Sequence, residues 1–368
     1  MEHFFELEDI CLLPTVSNSG HIQQPNFNVV DPNDQTGIPE SLPIFTSPME
    51  AIVGKENLKM FVDAGIKPVL PLVTDINVRL EYCQWVFCAF SIAEVKRHFI
   101  DDNKRGVNSQ FHICIDAGNG HDANLLQMCG QLKRNYGAQI VLMVGNVGCP
   151  EVYTDYSRAG IDFMRVGIAS GSLVDQTRYG FHYPMASLLE GIKQYKKTSG
   201  VGLPKQVKII ADGGIRTPSD IVKALALGAD YVMIGREFAR LVEAYGPVYQ
   251  RNKKGSGDAE YNEIDPSTIQ GMEGFKAKIN GYQRQYHGNT SLETRAMVGG
   301  YKSKEEYLKK APKVRVRDTA WEWVEIDSNL EEWVEDFKRC AYYAFMMTGS
   351  TSWENFKKVA RYGVAYAD

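Results

Sequence analysis

Val207-Lys-Ile-Ile-Ala-Asp-Gly-Gly-Ile-Arg-Thr-Pro-Ser-Asp220, followed by Tyr231-Val-Met-Ile-Gly-Arg236, decides the fold of this 368-residue chain. A β-branched run ends in Asp-Gly-Gly, a helix start follows, and a second β run ends in Gly-Arg. The pattern predicts a strand, a tight glycine turn, a crossover helix and a parallel strand. Bare backbone N–H groups and a carboxylate then stand at strand C-termini, where α/β barrels bind phosphorylated ligands.

Outward from that stretch, short β-rich runs alternate with helical patterns. Strands are expected near Leu42–Met49, Lys67–Val73, Trp85–Ser91, Phe111–Asp116, Ile140–Val147, Phe163–Ile168, Val207–Ala211 and Tyr231–Gly235. Between them, apolar residues recur at helical spacing, as in Leu125, Met128, Leu132 and in Ile221, Leu225. Eight such strands fit an α/β fold of the (β/α)8 TIM-barrel type. A doubly wound open sheet fits less well, because no GxGxxG follows the first strand and polar residues follow many strands rather than one switch point. Residues 243–319 are rich in Gly, Lys, Tyr and Asn with weak periodicity, the composition of a flap or binding insertion. Leu330–Tyr362 reads as two helices separated by Thr348-Gly-Ser-Thr351. The expected organisation is one barrel domain over residues 1–368 with a C-terminal flap and a helical tail.

Composition narrows the function classes. A net charge of −4 without a basic block argues against nucleic acid as partner. Charged residues break every apolar stretch before it reaches membrane-spanning length, and the acidic start Met1-Glu-His-Phe-Phe-Glu lacks a basic leader region, so a cytoplasmic location is expected. Seven scattered cysteines without metal-ligand spacing read as reduced thiols, with no metal site.

Several motifs, in order, resemble the IMP dehydrogenase/GMP reductase family. They are Phe5-Glu-Leu-Glu-Asp-Ile-Cys-Leu-Leu-Pro14, Ile44-Phe-Thr-Ser-Pro-Met-Glu50, Ile115-Asp-Ala-Gly-Asn-Gly-His121, Gly145-Asn-Val147, the opening stretch with Asp212-Gly-Gly214, Gly271-Met-Glu-Gly274 and Tyr343-Ala-Phe-Met-Met-Thr-Gly-Ser350. The short interval from Leu72-Val-Thr-Asp75 to Trp85 leaves no room for the paired CBS modules that many dehydrogenases of the family insert there. That leans toward the reductase branch. The resemblance implies a purine nucleoside monophosphate substrate, NADPH or NADH as cofactor, room for a monovalent cation, and a homo-oligomer, a tetramer in relatives.

It also implies roles by position. Ser172, Gly213, Gly214 and Gly235 would hold phosphate through backbone N–H groups and a hydroxyl. Arg236 stands where relatives have a small residue, so it either adds a charge-assisted phosphate bond or pairs with Glu237 or Asp230. Asp212 would accept from ribose hydroxyls, Ser47 and Met49 would line sugar and base, and Met272 with Glu273 would meet the purine edge. Asp116, Asn146 and Gly167 fall on the nicotinamide side. Glu322 aligns loosely with a glutamate that reads the purine and moves protons; the competing reading is a surface glutamate between two tryptophans.

One departure stands out. The family's expected run Gly-Ser-x-Cys-x-Thr-Arg carries the thiolate that attacks purine C2, whereas this chain has Gly171-Ser-Leu-Val-Asp-Gln-Thr-Arg178, with one extra residue and no cysteine. Val174 or Asp175 takes the cysteine's place. Asp175 could act as base or bind an exocyclic amine, and Thr177 remains where a polar partner of the reacting centre is kept. Cys149 is the nearest other thiol. Three readings stay open: a GMP reductase-like or IMP dehydrogenase-type oxidoreductase, including one for a modified purine; a nucleotide-binding pseudoenzyme; and a non-redox reaction at the base using Asp175.

Overall fold

Eight short parallel strands, each rich in β-branched and aromatic residues, form one sheet: Ile44–Thr46, Val69–Leu70, Phe87–Phe90, Phe111–Asp116, Ile140–Val147, Phe163–Val166, Lys208–Asp212 and Tyr231–Ile234. The computed structural model describes residues 4–16, 24–30, 40–101, 110–171, 173, 180–198, 202–252, 260–265, 269, 281–287 and 321–365. The eighth strand pairs with the first, and a Phe45–Lys67 bridge joins the first strand to the approach of the second, closing the ring. All eight strands lie where the sequence pattern placed them.

The barrel interior is plugged by side chains. Phe45, Phe87, Phe163 and Tyr231 meet edge to face with centroids 5.2–5.9 Å apart, packed with Cys114, Met143, Ile210 and Met233. Side chains alternate along a strand, so the inward positions two residues beyond Phe163, Cys114 and Ile210 are Arg165, Asp116 and Asp212. An apolar plug thus carries a charged floor. Crossover helices begin on side-chain caps at Asp75, Ser91, Asp122 and Thr217. Thr217 and Asp220 form a reciprocal capping box, which is why the run after Gly213-Gly214 turns at once into a helix.

Between the eighth strand and the last large helix, the part of the expected flap that is described is regular. Glu260–Ile264, Val248–Asn252, Tyr282–His287 and Trp321–Glu325 make a four-stranded antiparallel sheet in that order. Its outward face stacks Tyr261 on Trp323 at 4.1 Å, with Tyr249 and Trp321 edge-on. Its inward face carries Arg284, Tyr286, Glu322 and Val324. Residues 253–259, 266–268, 270–280 and 288–320 lie outside the described residues.

Leu330–Thr348, capped by Asn329 and ended by Gly349 in the left-handed conformation, packs beside the helix Pro218–Ala226. The ring contacts Phe61–Phe238 and Phe238–Trp333 tie it to the first crossover helix as well, so it completes the outer ring. The tail differs from the two-helix expectation at its end. After Trp353–Val359 the chain becomes a strand, Arg361–Val364, antiparallel to Ile10–Leu13. Partnership with a segment some 350 residues away, rather than local periodicity, decides its conformation. No helix among the described residues is long and apolar enough to cross a membrane.

Arg284 fastens the antiparallel sheet to the barrel. It is 0% exposed, and its guanidinium donates to the carbonyls of Gly246 (2.8 Å), Ala239 (2.6 Å), Leu241 (2.7 Å) and Ala244 (3.0 Å). Burial pulls it down to about 10, which still leaves it charged at neutral pH. Replacing it with Met strands those carbonyls in an apolar setting. Arg284→Met should lower stability by about 3–5 kcal/mol in urea unfolding; an unchanged midpoint would show that the sheet is held by other contacts.

Candidate active site

The floor of the mouth is organised by a buried arginine. Arg165, 5% exposed at the end of the sixth strand, donates from Nε (3.1 Å) and Nη2 (2.7 Å) to Asp212 Oδ2 and from Nη1 to Asp116 Oδ1 (2.9 Å). Nη1 also lies 3.6 Å from the sulfur of Cys114, whose thiol burial pushes up to about 12. Burial alone would disfavour the charge on Arg165, but Asp212 and then Asp116 outweigh it and hold the guanidinium protonated. Asn146 at the end of the fifth strand donates to the same Asp212 oxygen (2.8 Å) and to the Gly167 carbonyl (3.0 Å). Asp116, Asn146 and Asp212, expected from sequence to serve two different ligands, are therefore one network. Arg165 was missed. A lone arginine at an inward position of an otherwise apolar barrel strand is the signal that could have found it, since a buried cation requires carboxylates.

Asp212 is fixed asymmetrically. Oδ2 takes three donors, while Oδ1 makes no hydrogen bond among the described residues. Beyond it, Gly213 and Gly214 turn through positive φ of 100° and 75° directly beneath Ser170 and Gly171 of the preceding loop. Gly167 has a packing reason of its own: a Cβ there would lie 2.2 Å from the Asp212 carbonyl oxygen. Ser172, Asp175 and Thr177 lie outside the described residues, as do Met272 and Glu273. The strand-six loop is tied at its base. His182 reaches the Ile168 carbonyl (3.0 Å) and Glu6 Oε1 (2.5 Å), and Glu6 Oε2 accepts from the Met185 N–H that starts the next helix (2.9 Å).

Across the mouth, the first strand places Ser47 and Met49, both buried, next to Gly235. A Cβ on Gly235 would fall 2.5 Å from the Tyr286 hydroxyl, 3.3 Å from Ser47 Oγ and 3.6 Å from Met49 Sδ. Only glycine leaves that convergence open. Tyr286 is a second residue the sequence reading missed; in Tyr282-Gln-Arg-Gln-Tyr-His287 the two tyrosines share alternate positions with Arg284, the one weak sign of a strand. Burial, then Asp212 and Glu322, raise its phenol, so it stays a hydroxyl donor. Of the two expected partners, Glu237 forms a loose ion pair with Arg236 at 3.9 Å, while Asp230 binds Lys357 at 3.1 Å instead. Arg236 Nε donates to Glu322 Oε1 at 2.9 Å, and Glu322 lies opposite Tyr286 in the antiparallel sheet. Two residues expected in separate roles are thus brought together.

Cys149 sits on the strand-five loop, its sulfur 3.7 Å from His121 Nδ1, while His121 Nε2 accepts from the Gly148 N–H at 3.0 Å. Burial and then Glu151 push this thiol up, the reverse of what activates a nucleophile.

Arg165→Met would leave Asp116 and Asp212 facing each other without a cation. A stability loss of about 3–5 kcal/mol at neutral pH is expected, with Arg165→Lys intermediate because one ammonium cannot match the forked contact. Equal stability for all three proteins in chemical unfolding would remove the floor from the argument.

Comparison with known proteins agrees with this fold. A family model described as the IMP dehydrogenase / GMP reductase domain matches residues 104–261, the segment containing Asp116, Asn146, Arg165, Asp212 and Arg236. The inosine-5'-monophosphate dehydrogenase of Rhodopirellula baltica is 31% identical over 230 residues, covering 55% of this chain and 41% of the relative. The GMP reductase of Clostridium acetobutylicum is 29% identical over 299 residues, covering 76% of this chain and 83% of that one. The chain therefore spans less than half of the dehydrogenase and most of the reductase. In overall fold it superposes on the crystal structure of inosine 5' monophosphate dehydrogenase from Legionella pneumophila with a TM-score of 0.69 at 19% identity, covering 99% of each chain. With its closed barrel and with matches to both branches, the chain resembles the IMP dehydrogenase/GMP reductase family, whose domain model matches residues 104–261.

Proposed function

We propose that the chain binds a purine nucleoside 5'-monophosphate at the barrel mouth and acts as a GMP reductase-like, NAD(P)-dependent oxidoreductase, on GMP or on a modified purine nucleotide. The observation that carries this reading is Asp212, locked by three donors on Oδ2 with Oδ1 left to accept from a ribose diol. An acceptor-only carboxylate held rigidly costs little further ordering when a diol binds. Phosphate would lie against Ser172, Gly213, Gly214, Gly235 and Arg236, with Ser47 and Met49 at sugar and base, and Met272 and Glu273 at the purine edge. We place the protein in the cytoplasm, as a homo-oligomer.

The nicotinamide fits the strand-four and strand-five side. Asn146 uses its N–H donors on Asp212 and the Gly167 carbonyl, and its side-chain oxygen makes no hydrogen bond among the described residues. That oxygen can accept from a carboxamide, with Asp116 and Gly167 beside it. The cofactor would supply a hydride to the purine; NADPH and NADH are both compatible with these groups. Asp175 would serve as base or hold an exocyclic amine, Thr177 would orient it, and Glu322 would handle protons at the rim.

A second reading, nucleotide binding without hydride transfer, is favoured by one fact: no cysteine lies between Gly167 and Arg178. Cys149 is not activated to replace it. Loss of a covalent route lowers rates by orders of magnitude when nucleophile and partners act as a unit.

Absorbance of NADPH and NADH, followed with GMP, IMP and XMP, should show slow turnover, and mass spectrometry of quenched mixtures should find no purine adduct on residues 167–178. Fast turnover that survives both Asp175→Asn and Cys149→Ser would contradict the assignment of this loop; tight binding with no turnover would select the second reading. Gly214→Val should weaken GMP binding about tenfold or more while leaving guanosine nearly unchanged, since it crowds only the anion cradle. Equal losses would place the phosphate elsewhere. As cover for the base, residues 243–319 should exchange amide hydrogens more slowly once a purine nucleotide is added, and an unchanged pattern would remove the flap from the reading.

A further inference from the structure

We propose that Arg236 and Glu322 form an exchangeable ion pair, from which the anionic end of the ligand takes the guanidinium. The inference rests on the purine-nucleotide reading above and adds to it a specificity-determining contact with a built-in competitor.

Three arginines of this chain can be compared on the same terms. Arg284 donates from all three guanidinium nitrogens to four carbonyls and is 0% exposed. Arg165 also donates from all three, with its side chain 7% exposed. Both engage every guanidinium nitrogen and are closed to solvent, as structural arginines must be. Arg236 differs. Its side chain is 40% exposed, and its single hydrogen bond among the described residues runs from Nε to Glu322 Oε1 at 2.9 Å. Glu237 lies 3.9 Å from Nη1, beyond hydrogen-bond reach. Both Nη groups, with four N–H donors between them, have no hydrogen-bonded partner among the described residues.

The position makes that spare capacity useful. Arg236 directly follows Gly235, whose missing side chain leaves the strand end open to the Tyr286 hydroxyl and Ser47 Oγ. Tyr286 in turn feels Asp212, Glu322 and Arg236. A phosphate seated against Gly235 and Tyr286 is therefore next to the guanidinium fork. The competition then favours the ligand. A partly exposed, single-bonded pair with a monoanionic carboxylate contributes little, whereas a phosphate dianion meets the fork through charge-assisted, bidentate bonds. In the absence of an anion, Glu322 keeps Arg236 oriented and raises the threshold for weakly binding anions, while a neutral nucleoside, which does not contest the guanidinium, is unaffected. Because Glu322 belongs to the antiparallel sheet and Arg236 to the barrel, the exchange also transmits occupancy of the anion cradle to the sheet.

Isothermal titration of the wild type, Arg236→Gln, Glu322→Gln and the double variant with GMP, guanosine and inorganic phosphate decides the matter. Arg236→Gln should weaken GMP about tenfold or more and leave guanosine within about twofold. Glu322→Gln should tighten GMP by about threefold to tenfold, because the internal competitor is gone, and this gain should vanish in the double variant. Weaker or unchanged GMP binding in Glu322→Gln, or equal losses of GMP and guanosine in Arg236→Gln, would make the pair a strut and overturn the exchange. If the wild type binds no purine nucleotide, the purine reading fails on its own. The exchange is then decided with inorganic phosphate, whose affinity should rise in Glu322→Gln and fall in Arg236→Gln; no change in either overturns it. Retained thermal unfolding profiles identify variants that still fold, as expected for two partly exposed side chains.

Discussion

A buried cation cannot be left alone, and the floor of this barrel follows from that constraint. Arg165 sits just above an aromatic plug that excludes water, so its charge has to be met from within the strands. Asp116 from the fourth strand and Asp212 from the seventh meet it from two sides. Once they do, the ends of strands four to seven are held in one register by side chains as well as by backbone. Asn146 joins through the same Asp212 oxygen, and the close approach of Gly167 to the Asp212 carbonyl leaves no slack between strands six and seven. The site is rigid because its charges are mutually committed.

The opposite side of the mouth is assembled differently. Gly235, Ser47 and Met49 come from the barrel, but Tyr286 and Glu322 come from the antiparallel sheet inserted after the eighth strand. That half of the site exists only while the sheet is docked, and docking depends on Arg284 reaching four carbonyls of the segment from Ala239 to Gly246. The mouth thus has a preformed half on strand ends and a docked half on an insertion.

Much of this was legible in the sequence. The eight strands were readable because each is a short β-branched or aromatic run bounded by turn residues, and because parallel strands buried on both faces keep that character along their length. Asp212, Asn146 and Asp116 were readable because they end such runs. Arg165, Tyr286 and Arg284 were not, for a common physical reason: each is defined by partners far away in the chain. Arg165 meets carboxylates 47 and 49 residues distant, and Arg284 meets carbonyls 38 to 45 residues back. The antiparallel sheet was obscured by its own composition. Its outward face is aromatic and its inward face carries Arg284, Tyr286 and Glu322, so neither face shows the plain apolar alternation of a half-buried strand.

The charged floor also bears on what the barrel mouth is built for. Buried ion clusters are poor stabilisers, since well-packed apolar side chains of similar volume serve as well or better. A chain selected for barrel stability alone would have continued the apolar plug up to the mouth. Instead it carries an arginine and two carboxylates there, with Asp212 Oδ1 and the side-chain oxygen of Asn146 left without hydrogen bonds among the described residues. Such acceptors at a partly buried site are explained by donors that arrive with a ligand. The two side chains are direct neighbours, Asn146 Nδ2 donating to Asp212 Oδ2 at 2.8 Å, so the open oxygens lie close together. Donors of one ligand can therefore reach both oxygens, and a floor with two open acceptors fits ligand binding better than barrel stability alone.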